Sequence, residues 1–419
     1  MSKKISVHID LDGRTFLMGT LWIHERNRQE SASFEYSPEW RASPDSFALE
    51  PSLFVGEGTY HTEKALFGSI GDSAPDRWGR NLMKRLEAQT AKREDRPARR
   101  LKESDFLLMV NDFARQGAMR FTMDGSDFLS PSEKDMIPPI VALPRLLEAS
   151  ESFIENKEDY KDIRDLVEPG SSLGGARPKA VVTENDELFI AKFPKKDDDW
   201  DVPAWEYISL KMAAQCGIET PGIKLIHVLN KNVLLLNRFD RNGSIRIPFL
   251  SAMSMLDASD GEQRSYLEIV DVLSSHGAKT SEDMKELWKR MVFNIMVSNV
   301  DDHLRNHGFL YAGKSGWELS PVYDLEPTPE HVKDRFLSTY ITETDGTASL
   351  ELAYDVAGYF ELSAKEAQAI AKDICEVTKN WHHEARKVGI KKQEIDMMAS
   401  AFDHDELRLG LDPGSGFVL

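Results

Sequence analysis

FNIMVSNVDDHLRNHGFLY, residues 293–311, decides how the chain is read. An apolar run of helical period gives way to a polar cluster, and GFLYAG at 308–313 then reads as a short strand. Asp301 and Asn306 therefore stand on a tight loop between two apolar elements. Upstream the period shortens. KAVVTENDELFIAKF (179–193) and KLIHVLNKNVLLLNRFDRNG (224–243) read as hairpins, turning at Glu184–Asp186 and Asn230–Asn232. Between them VPAWEYISLKMAAQCG (202–217) is helical: Trp205, Ile208 and Met212 share one face, and Gly217 stops it. From about residue 255 onward helical periods dominate.

The N-terminal stretch is a separate small unit. ISVHIDL and RTFLMGTLWIH flank Asp12-Gly13 as a hairpin, and SASFEYS (31–37) and SLFVG (52–56) read as further short strands. GDSAPDRWGR (71–80) opens a helix, with Asp72, Ser73 or Asp76 as cap. Phe106–Asn111 reads as a second helix and GAMRFTM (117–123) as a closing strand. Gly125, Pro131, Pro138, Pro139 and Pro144 then mark a linker, with two short helices at 145–168.

Composition narrows the function classes. With 419 residues the chain has room for two or three cores, and 41% apolar residues exclude a disordered chain. The balance of 52 Lys and Arg against 70 Asp and Glu leaves −18, which argues against extended contact with nucleic acid. Cys216 and Cys375 are too few for a zinc site and read as reduced thiols. MSKKISVHIDLDG lacks the apolar core of a signal peptide, and no apolar run approaches a membrane span, so a cytoplasmic location is expected.

Four features carry chemistry. Gly174-Gly175-Ala176-Arg177-Pro178-Lys179 precedes a strand; small residues let backbone amides approach phosphate oxygens, and Arg177 and Lys179 add charge. The loop is neither a Walker A sequence nor G-x-G-x-x-G. Lys192, in LFIAKFP, ends an otherwise apolar strand, as does the lysine of V-A-I-K strands that faces nucleotide phosphates. Glu206 on the next helix is either its ion-pair partner or a solvated charge. Asp301-x-x-x-x-Asn306 has the spacing of a kinase catalytic loop. Asp324 in Tyr323-Asp324-Leu325 follows Asn306 where a kinase carries its second metal-binding carboxylate. One Asn and one Asp, with phosphates, satisfy Mg²⁺, which prefers oxygen ligands and keeps several waters.

In order and on these elements, the features resemble HipA-type serine/threonine kinases, the toxins of bacterial toxin–antitoxin pairs. The resemblance is carried by GDSAPDRWGR, SSLGGARPK, FIAKFP, EYISLKMAAQCGI-x-x-P, NRFDR, NVDDHLRNHGF and SPVYDL. It implies an α+β chain: a small N-terminal α/β domain plus a two-lobed protein-kinase-like domain with a largely helical C-lobe and a cleft between the lobes. The expected divisions are 1–123, a linker at 124–168, the N-lobe at 169–254 and the C-lobe at 255–419. ATP with Mg²⁺ is the implied cofactor. Gly174–Lys179 becomes the phosphate loop, Lys192 the ATP lysine and Asp301 the base. Backbone groups of Asn237, Arg238 and Phe239 become the adenine hinge, and His303 and Tyr323 lie near the nucleotide. Asn306 and Asp324 become the metal ligands, and Ser172, or its neighbour Ser171, the autophosphorylated serine. The implied protein substrate is an aminoacyl-tRNA synthetase such as the glutamyl one. The implied partner is a HipB-like helix-turn-helix antitoxin, through which alone DNA is contacted. The chain departs from the family at Val300, at Arg177-Pro178 and at the second carboxylate, Asp302.

Two other readings compete. Asp301, Asp302, His303 and His307 offer the ligands of a metal-dependent hydrolase. A nucleotide-binding module that sequesters a partner without catalysis would need no base at Asp301.

Overall fold

The structure is a computed structural model and describes residues 2–123, 127–129, 137–168 and 175–412. Its contacts divide the chain into two compact units, Met1–Asp197 with Ile226–Leu250, and Asp198–Leu225 with Ser251–Leu419. No described helix is long and apolar enough to cross a membrane.

The first unit holds two larger antiparallel sheets and a two-stranded ribbon, Arg241–Asn242 with Ile245–Arg246. β1 (Lys3–Leu11), β2 (Arg14–Arg26), β3 (Gln29–Tyr36), β4 (Tyr60–Thr62) and β5 (Met119–Thr122) form one, in the order β4-β3-β2-β1-β5. Alternation puts Ile5, Val7, Ile9, Leu21 and Ile23 into its core. β6 (Lys179–Glu184), β7 (Glu187–Lys192), β8 (Ile223–Val228) and β9 (Lys231–Asn237) form the other, in the order β6-β7-β9-β8. The hairpins turn through pairs with positive φ, Asp12-Gly13, Asn185-Asp186 and Leu229-Asn230. That backbone matches the right-handed twist of the strands it joins. SLFVG is a correction: it forms no strand. Its carbonyls are met instead by tyrosine hydroxyls: Tyr36 donates to the Leu53 carbonyl and Tyr60 to the Phe54 carbonyl, each at 2.6 Å.

The helix Arg77–Arg93 begins where Asp76 caps it, Oδ1 accepting from the Gly79 amide at 2.7 Å. Trp78, Leu82 and Met83 on its buried face pack into the core that also holds Ala180, Val182, Phe189 and Ala191 of the second sheet. A buried ionic node joins the segment 112–118 to the end of β9. The Arg238 guanidinium donates to Asp240 at 2.8 Å and to the Ala114 carbonyl at 2.6 Å. The Gly117 amide donates to Asp240 at 2.7 Å. Burial alone would raise the Asp240 carboxyl, but the guanidiniums of Arg238 and Arg241 hold it well below its usual range.

The second unit is largely helical around the 18-residue helix Thr280–Val297, most of whose residues are buried. Trp381 stacks on Phe402 with centroids 4.7 Å apart, and Trp205 lies beside both. The Trp205 indole donates to Glu394 at 2.7 Å. Trp78, Trp205, Trp288, Trp317 and Trp381 are all buried.

His404 caps the helix Asp405–Leu411: Nδ1 accepts from the Leu407 amide at 3.3 Å, so Nε2 carries the proton and donates to the Met296 carbonyl at 3.1 Å. Burial, with Arg335 beside it, pushes its pKa down to about 3. The unfolded chain therefore takes up a proton below about pH 6.5 that the folded chain refuses, and stability falls as pH drops from that point. His404→Asn keeps a capping side chain and removes this proton site. Wild type is expected to lose about 2 kcal/mol relative to His404→Asn between pH 8 and pH 5, read from urea unfolding at the two pH values. Asp283 and Asp302, raised to about 6 by burial, work in the opposite direction and are common to both proteins.

Candidate active site

The loop after Thr280–Val297 starts at Ser298, whose left-handed backbone (φ 50°) ends the helix. Asp301 follows with its side chain 69% exposed. Asn306 braces it: Nδ2 donates to the Asp301 carbonyl at 2.9 Å, which leaves Oδ1 as the remaining acceptor. Tyr323 donates its hydroxyl to the Arg305 carbonyl at 2.7 Å and so ties the second acidic motif to this loop. Asp324 adopts a left-handed backbone, φ 57°.

Asp302 points the other way. Its carboxylate is buried and accepts from the Tyr266 hydroxyl at 2.6 Å and from the amides of Ser338 at 2.7 Å and Thr339 at 3.3 Å. His307 is buried too, and its Nε2 meets the Asp302 carbonyl at 3.0 Å. Burial pushes its imidazole down to about 3. Asp302 and His307 are therefore committed inside the fold, which corrects the hydrolase reading: two of its four ligands have no open face. His303 keeps a buried Nδ1 with no hydrogen-bond partner among the described residues.

Carboxylate oxygens of Glu206, Asp324 and Glu326 all lie within 4.8 Å of one another. These hard oxygen donors fit a cation such as Mg²⁺. Glu206 is only 1% exposed, which removes its reading as a solvated charge. Glu326 escapes the sequence reading, because a lone glutamate two positions after Asp324 has no distinguishing spacing. Lys333 escapes it as well. Its ammonium donates to the Val300 carbonyl at 3.0 Å and lies 3.6 Å from Asp301 Oδ1, although it comes from an irregular segment over thirty positions away.

In the other unit, Lys192 is buried at the end of β7. Its cross-strand neighbour is Lys179. Lys179 departs from the expected phosphate contact: its side chain is 4% exposed and its ammonium holds Asp76 at 2.8 Å. Gly175, Ala176, Arg177 and Pro178 are described, with Gly175 at φ 99°, whereas Gly174, Ser171 and Ser172 lie outside the described residues. Arg238 is fully buried in the ionic node, so at Asn237–Phe239 its side chain serves the fold.

Residues 171–381 match the HipA-like C-terminal domain, and residues 11–104 match the HipA N-terminal domain. The chain belongs to the HipA family. A solved Shewanella oneidensis toxin–antitoxin complex of HipA, HipB and operator DNA contains a chain of the same fold, with a TM-score of 0.66 at 16% identity. That match covers 99% of this chain and 98% of the other. Among curated relatives, Y4dM of Sinorhizobium fredii, provisionally named a kinase, is 26% identical over 284 residues, 61% of this chain. A Haemophilus influenzae protein with the same provisional name is 22% identical over 228 residues, 48% of this chain. The matches span 65% and 66% of those relatives, just under two thirds of their length. The α+β class agrees with this HipA-type fold.

Tyr266→Phe removes one donor to the buried Asp302 carboxylate and the acceptor for Asn294 Nδ2. It is expected to cost about 2 kcal/mol in urea unfolding at pH 7.5, because a charged acceptor loses its partner away from water.

Proposed function

We propose that this HipA-family chain is a cytoplasmic, ATP- and Mg²⁺-dependent protein serine/threonine kinase. The observation that carries the reading is Asp301, an exposed carboxylate on a loop whose next residue is buried and held by three donors. An acid so presented can orient a substrate hydroxyl and accept its proton while the hydroxyl oxygen forms a bond to the γ-phosphorus and ADP departs. Bound Mg²⁺ supplies neutralisation of phosphate charge; Asp324, the Asn306 Oδ1 and the carboxylates beside Asp324 would hold it. Lys192 and the amides of Gly175–Lys179 would hold phosphates, and the backbone of Asn237–Phe239 the adenine. His303 and Tyr323 would lie close to the nucleotide. The kinase names of the curated relatives support the reaction class.

The HipA–HipB–DNA structure supports a helix-turn-helix antitoxin as partner, and the net charge of −18 suits a basic one. The proposed substrate is a translation component such as an aminoacyl-tRNA synthetase, whose modification arrests growth. Autophosphorylation at Ser171 or Ser172 would place a dianion at the phosphate loop and oppose nucleotide binding by like charge.

Incubation with γ-labelled ATP and Mg²⁺ tests this. Label is expected on the chain itself and on a lysate protein, and Asp301→Ala should lower incorporation at least about 100-fold, as loss of a general base does. Wild-type protein that labels neither itself nor any lysate protein would sink the proposal. Mass spectrometry of the labelled chain should place phosphate at Ser171 or Ser172.

A further inference from the structure

The motif GDSAPDRWGR sits in the N-terminal segment, far in sequence from every residue assigned to the reaction, yet it grips the stem of the Gly-rich loop. Asp76 Oδ2 meets the Lys179 ammonium at 2.8 Å, with both side chains 4% exposed. The Trp78 indole donates to the Lys179 carbonyl at 3.0 Å, and the Trp78 amide makes a long contact of 3.5 Å with the Gly175 carbonyl. Trp78 is itself fixed, with its ring edge-on to Phe153 at 5.0 Å.

The register of the sheet explains why this grip matters. Lys179 and Lys192 are directly paired across β6 and β7, so both side chains leave the same face. Like charges directly opposite one another repel, and both residues are buried. Asp76 meets the Lys179 ammonium of that pair.

We propose that Asp76 and Trp78 are positioning residues of the nucleotide site: they neutralise and seat Lys179 so that the loop stem and Lys192 keep a phosphate-binding arrangement. The inference rests on the kinase reading above. It makes the N-terminal domain a part of the ATP site, acting through Lys179 without touching the nucleotide.

The test is a double-mutant cycle on the full chain, with ATP binding followed by calorimetry and KM and kcat for ATP measured separately. Asp76→Asn is expected to weaken ATP binding and raise KM about tenfold, as when the competent arrangement is populated a tenth of the time, with kcat changed far less. Adding Lys179→Met removes the ammonium that Asp76 holds and leaves the backbone amide in place, so it should recover part of the ATP affinity that Asp76→Asn loses; Asp76→Glu should also restore it in part. A role confined to capping the helix at Gly79 would be insensitive to Lys179→Met. A folded Asp76→Asn protein with wild-type ATP affinity, or a double variant as impaired as the single one, overturns the inference. If Asp76→Asn alone does not fold, the double variant decides. Recovery of folding and affinity supports the ion-pair role, and failure of both variants to fold refutes it. Wild-type protein that binds no ATP would remove the kinase reading itself.

Discussion

The helical unit depends on a buried carboxylate answered by neutral donors. Asp302 takes hydrogen bonds from a tyrosine hydroxyl and two consecutive backbone amides. The bonds fix two other pieces of chain: Tyr266 the helix it begins, and Ser338 and Thr339 together the irregular segment beyond the second acidic motif. Because a buried carboxylate with an unmet oxygen is costly, these pieces hold one arrangement. Asp301, its neighbour in sequence, inherits a fixed position while its own side chain stays in water. Adjacent aspartates thus divide into a buried anchor and an exposed carboxylate, and the division follows from burial alone.

The first unit solves a related problem with cations. The buried Arg115, Arg238 and Arg246 and the largely covered side chain of Arg241 cluster, satisfied largely by carbonyls of residues 107–117 and by Asp112 and Asp240. Burial drives the Arg115 and Arg241 guanidiniums down to about 9, yet they remain charged near neutrality. Guanidinium suits this place because its planar donors reach several carbonyls at once, which a lysine ammonium cannot do in the same geometry.

Local chemistry made much of the architecture readable. Paired turn residues announced the hairpins, a helix start was expected at Asp72, Ser73 or Asp76 and falls at Asp76, and the one-face spacing of Trp205, Ile208 and Met212 announced the helix that carries Glu206. The loop that presents Asp301 and Asn306 was readable because it is short and flanked by strongly apolar elements. What escaped depends on long-range pairing. Nothing near Lys333 points toward Val300, and nothing near Lys179 points toward Asp76, 103 positions away. Asp302 and Asp301 are indistinguishable in sequence, since two adjacent carboxylates differ only in which way the backbone turns them. SLFVG has the composition of a strand, but two tyrosine hydroxyls meet carbonyls that a ladder would have paired.

The Asp76–Lys179 pair also bears on how such chains can be reassembled in evolution. Its acid lies in the segment matched as the HipA N-terminal domain and its base in the segment matched as the C-terminal domain. The two segments have the appearance of exchangeable modules, yet each carries half of one buried charge pair. A recombinant that joined this C-terminal segment to an N-terminal segment lacking the acid would inherit a buried ammonium without that carboxylate, which weighs against the fold. Exchange is therefore constrained to donors that bring the acid with them, and the two segments should travel through lineages as a linked pair.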